Sequence, residues 1–130
     1  MPTTPKSTRA QLEATLKPLL PKAWRFVPYQ TTLDTLDRLT VMVKQSGVKR
    51  YDPAPGAYRL HEFTVSLISS KIDPQQAEDD LDQAVETFLD ALEGVNGGQS
   101  LAWSQVDTNR VYGESNFASD ITLTTTFRKA

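Results

Sequence analysis

The stretch from Lys71 to Glu93, KIDPQQAEDDLDQAVETFLDALE, carries eight of the chain's sixteen carboxylates and no base after Lys71. Clustered carboxylates can do two kinds of chemistry. They can ligate a hard cation through oxygen, or one of them, shifted by burial or a neighbouring charge, can move a proton. Both require the groups to converge. At about 100° per residue, Ala77, Leu81, Ala84, Val85, Phe88, Ala91 and Leu92 share one arc of a helix, and Asp79, Asp82, Glu86, Asp90 and Glu93 share the opposite arc. The acids are therefore expected to point away from a core, on a convex surface that brings no second ligand from another direction. This pattern reads as the wet side of a helix, with no metal site and no catalytic residue. It still carries a cost, because acids four residues apart repel each other and no lysine on the helix offsets them. Solvent and salt can screen such a strip, or basic residues from another surface can meet it. Lys6, Arg9, Lys17 and Lys22, set against a single Glu13, are the cations that a first helix and its flanks would offer, within a subunit or between neighbours.

Little else in the chain has the makings of a reaction centre. His61 is the only histidine, and it shares the alternation of Phe63, Val65 and Leu67, which suits a structural, partly buried imidazole. A Ser-His-Asp triad would have to be built on it, yet no Gly-x-Ser-x-Gly turn is present, and Ser66, Ser69 and Ser70 fall in or just after the same strand pattern. GVNGG lacks the Lys-Ser/Thr ending of a phosphate loop and follows a helix, so it reads as a helix stop. Lys49-Arg50-Tyr51 could touch a phosphate but reads better as a solvated strand end. Trp24 and Trp103 lie in strand patterns, as core or interface anchors.

The elements that must position these residues follow from periodicity and punctuation. Thr8-Arg9-Ala10-Gln11 has the form of a capping box, and Leu12, Leu16, Leu19 and Leu20 follow at helical spacing. Pro18 and Pro21 should end or kink this helix between Leu16 and Leu20. Trp24 to Tyr29 is a short strand that Pro28 ends or confines to a sheet edge. TTLDTLDRL reads as a connection. Leu39 to Ser46 is a strand apolar on both sides, and Ala57 to Ser70 a longer one, alternating at Phe63, Val65 and Leu67. The turn-formers YDPAPG, Tyr51 to Gly56, make a protruding hairpin loop between them. The acidic helix starts with Asp73 as its cap, Pro74 in its first position and Gln76 completing the box, and it stops at Gly94. LAWSQVDTNRVYG and FASDITLTTTFRK are the last two strands, joined by a hairpin at GESN. The order is α-β-β-β-α-β-β, an α+β domain spanning residues 1–130, with a mixed, mainly antiparallel sheet of five strands and two helices packed on it.

Composition agrees with a compact chain and removes several classes. Its 130 residues are enough to bury a core, and 38% hydrophobic with 23% charged residues indicates neither disorder nor a membrane span. The absence of cysteine removes disulfides, thiolate metal sites and cysteine nucleophiles. The first twenty residues lack the apolar core of a secretory signal, so an intracellular origin is expected. The net charge of −2 hides a segregation: residues 1–71 hold eleven bases and five acids, and residues 72–109 hold nine acids and no base. Surfaces of opposite sign are implied.

Taken together, LKPLLPKAWRFVPY, the buried TVMVK, DPAPGAYR leading into a long strand, DPQQAEDDLDQAVETFLDAL and NFASDITLTTTF resemble the tail terminator proteins of long-tailed bacteriophages, particularly those of actinobacteriophages. The resemblance spans nearly the whole chain and brings no catalytic signature, so no residue role is carried over with it. It implies a virion protein assembled in the host cytoplasm and sited at the head-proximal end of the tail. There a homo-oligomeric ring, a hexamer, would cap the tail tube, stop its polymerisation and offer the surface that joins the head. The implied partners are further copies of the chain, the major tail tube protein and a head-completion or connector protein. DNA would pass through the ring without specific binding, and no cofactor is implied. Charge and loop rigidity nominate Arg9, Lys17, Asp52, Pro53, Pro55, Tyr58, Asp79, Glu86 and Asp90 as contact residues. Two alternatives stay open: a neighbouring head-completion ring protein, and a small metal- or ligand-binding domain or enzyme using the Asp-rich helix or His61.

Overall fold

A computed structural model describes residues 8–29, 36–50, 58–93, 100–112 and 116–128. The elements are α1 (Thr8–Leu16), a 3-10 turn (Lys17–Leu19), β1 (Arg25–Val27), β2 (Thr40–Arg50), β3 (Tyr58–Ile68), α2 (Pro74–Glu93), β4 (Ser100–Tyr112) and β5 (Asn116–Arg128). This is the expected α+β order. The five strands form one sheet in the order β1-β2-β3-β5-β4; β1 runs parallel to β2, and every other pairing is antiparallel.

Both helices cover the same face of the sheet. Leu12, Leu16 and Leu20 from the first helical segment and Leu81, Ala84, Phe88, Leu89 and Leu92 from α2 close over Val41, Val43, Phe63, Val65, Leu67, Ile121 and Leu123. Leu19 is the exception in the predicted stripe and stays exposed. Pro18 tightens the chain into the 3-10 turn, and three residues per turn rotate Leu19 off the buried line. The opposite face carries polar residues such as Thr64, Ser66, Asp120 and Thr122 beside a small apolar cluster of Met42, Ile68 and Ala118 with Leu36 against it.

β2 runs four residues beyond the predicted end at Ser46. The register slips between Gln45 and Gly47, leaving Ser46 unpaired, and pairing then resumes at Gly47 with Glu62 and at Val48 with His61. At the far side of the sheet, β4 carries two such irregularities, between Trp103 and Gln105 and between Asp107 and Arg110. The predicted loop residues Asp52, Pro53 and Pro55 and the helix stop at Gly94 lie outside the described residues.

Candidate functional site

The start of α2 is fastened by two polar devices. Asp73 accepts a hydrogen bond through Oδ2 from the Gln76 amide at 3.1 Å, the capping bond that the Asp-Pro start predicts. One turn further on, Ser69, fully buried at the end of β3, donates through Oγ to Asp80 Oδ2 at 2.7 Å. The same Oγ accepts from the Lys71 amide at 3.1 Å. The Ser69 amide donates to Phe117 O at 2.9 Å, and its carbonyl accepts from Asn116 Nδ2 at 3.2 Å. A single serine thus ties α2 to the end of β3 and the start of β5.

With the helix held so, its acids take the expected side. Glu78, Asp79, Asp82, Glu86, Asp90 and Glu93 are exposed, while Ala77, Leu81, Ala84, Phe88, Leu89 and Leu92 are buried. Glu78, Asp82, Glu86 and Asp90 make a ladder at four-residue spacing, whose three successive pairs repel by about 1 kcal/mol in total. No ion pair joins them to a cation among the described residues; Arg38 pairs instead with Asp37, at 3.4 Å. Lys17 and Lys22 are exposed and make no ion pair with α2, and Arg9 lies on α1. Tyr58 opens β3, opposite Arg128.

The residues that a hydrolytic triad would need are not brought together. His61 shares the helix-covered face with Phe63, where its Nδ1 lies 3.1 Å from Gln45 Nε2. Ser66 projects from the other face and donates to Asp120 Oδ1 at 2.6 Å. Asp120 stands directly opposite Asp107, which accepts from Gln105 Nε2 at 2.6 Å. Among the described residues no three His, Cys, Asp or Glu side chains gather as metal ligands.

Two features escaped the linear reading. The strand register collects cations that are far apart in sequence: Arg50 pairs with Arg59, Lys49 precedes Arg50, and Arg128 pairs with Tyr58, all at one end of the sheet. At the other end a cleft of about 290 Å³ opens between the first turns of α2 and the β4–β5 pair, with Pro74, Leu81, Phe117 and Thr108 in its walls and Glu78 and Asp82 among its lining. Nothing in the local sequence signals the cleft, because its walls come from α2, β4 and β5, which lie far apart along the chain.

No protein-family profile matches the chain, and no curated protein is significantly similar to it. Among the described residues no helix is long and apolar enough to cross a membrane.

Proposed function

We propose that this chain is a structural protein of a phage tail, a tail terminator whose copies form a hexameric ring on the last ring of the tail tube. The ring stops tube growth and presents the surface that a head-completion or connector protein meets, and the genome passes through it without sequence-specific contact. The observation that carries this reading is the outward carboxylate ladder on α2. The helix is anchored at its start by Ser69 and Asp73, and its acids are left without described cations. A firmly held, singly charged convex face suits contact between surfaces better than turnover of a small substrate. The order of elements and the turn composition that resemble tail terminators supply the identity of the assembly.

The test is direct. Purified protein, alone or mixed with tail-tube subunits, is expected to give rings in negative stain and to shorten or cap growing tubes. A chain that stays monomeric and leaves tube length unchanged would refute the proposal.

A further inference from the structure

We propose that the cleft beside the first turns of α2 receives the basic end of the sheet from a second copy, so that copies dock head to tail. This deepens the ring reading and rests on it.

The cleft is more than a patch of acid. Its floor is apolar, with Leu81 buried and Phe117 half-buried, and Pro74 forms a rigid wall where the helix begins. Glu78 and Asp82 stand one helical turn apart on the same side, exposed, with no ion pair among the described residues. A side chain suited to this hollow has an aliphatic stem to lie on Leu81 and Phe117 and a cationic head to sit between two carboxylates. Arginine and lysine have that form, and a guanidinium also stacks on an aromatic ring.

The strand register brings residues of that kind together at one end of the sheet. Arg50 and Arg59 are direct cross-strand partners, Lys49 is adjacent, and Arg128 lies on the next strand. Like charges placed opposite each other in a sheet are unfavourable, as are like charges four apart on a helix. The exposed pair Glu78 and Asp82 therefore carries a repulsion that a surface of opposite sign relieves. The two ends also lie apart on the molecule: Ser119, which lines the cleft, and Arg128 are nine residues apart on β5, roughly 30 Å of extended strand. A contact between two different patches of the same chain is heterologous, and repetition of it generates a ring when the rotation closes.

Reversal of charge at each end tests the pairing. Sedimentation of the full chain over a concentration series compares wild type, Glu78→Lys with Asp82→Lys, and Arg50→Glu with Arg59→Glu. Each reversed chain is expected to associate at least tenfold more weakly than wild type, and an equimolar mixture of the two is expected to regain assembly, because each then offers the end the other lacks. The milder pair Glu78→Gln with Asp82→Asn, matched in shape, should weaken association in the same direction if the lysine variant fails to fold by circular dichroism. Wild-type-like assembly of either reversed chain, or no recovery on mixing, overturns this docking and leaves the ring reading standing. A wild-type chain that never assembles, alone or on tube ends, overturns both.

Discussion

Replacing Ser69 with alanine is expected to loosen α2 from the sheet. Ser69 is fully buried, and its hydroxyl is at once a donor to Asp80 at 2.7 Å and an acceptor from the Lys71 amide at 3.1 Å. A hydrogen bond to a charged group is worth about 1.5–3 kcal/mol, and the lost acceptor for a backbone amide adds about 1 kcal/mol. The expected loss is therefore about 2–4 kcal/mol, a large share of the roughly 5–15 kcal/mol that holds a domain of this size together. Urea unfolding followed by far-ultraviolet circular dichroism would show it as a lower midpoint at constant slope, and heating as a Tm lower by roughly 10 °C. The cycle with Asp80→Ala separates the hydroxyl–carboxylate bond from mere loss of an atom, and a coupling of about 1.5 kcal/mol is expected. A loss below about 0.5 kcal/mol in Ser69→Ala, or a coupling near zero, would refute the role of this serine as the fastening of the helix.

The remaining predictions concern the helix surface and the perturbed carboxyl of Asp37. Asp73→Ala removes the cap on the Gln76 amide and should cost about 1 kcal/mol by urea unfolding. Glu86→Lys with Asp90→Lys relieves the ladder, so the monomer should melt slightly higher, while ring yield in negative stain should fall; a ring yield unchanged from wild type rejects charge pairing at that part of the helix. The Arg38 guanidinium, donating from Nε to Asp37 Oδ1 at 3.4 Å, holds that carboxyl below its ordinary value of 3.8. Because the folded value is the lower one, the interaction favours the fold above the ordinary value, and its contribution is lost as pH falls through the folded value. Carbon-detected NMR titration should therefore find the Asp37 carboxyl moving to higher pH in Arg38→Ala. Both groups are more than half exposed, so the change in stability should be slight.

How far the fold could be read beforehand depended on whether its causes were local. Asp73-Pro74 and the two arcs of α2 are local, and each exposed acid stands where the 3.6-residue period puts it; Leu89 joins the margin of the buried arc. Phe63, Val65 and Leu67 likewise follow their period of two. The length of β2 was not legible, since Gly47 looks like a stop and only the unpaired Ser46 lets the ladder resume. The strand order was hidden as well. Nothing near residues 116–128 tells that β5 lies between β3 and β4, a placement decided by Ile121 and Leu123 completing the core under α2. The candidate site divides the same way. The acid strip belongs to one helix and was visible, whereas the opposing basic end draws on β2, β3 and β5, and the cleft is walled by α2, β4 and β5 together.

The two irregularities of β4 bear on how the sheet ends. β4 is thirteen residues long and lies at the margin of the sheet, the kind of strand on which a stranger's chain could stack and keep stacking. Its two interruptions divide the regular ladder into runs of no more than four residues, shorter than the six or seven that seed cross-β fibrils. Newly made copies are thus denied a long uninterrupted edge on which to zip together.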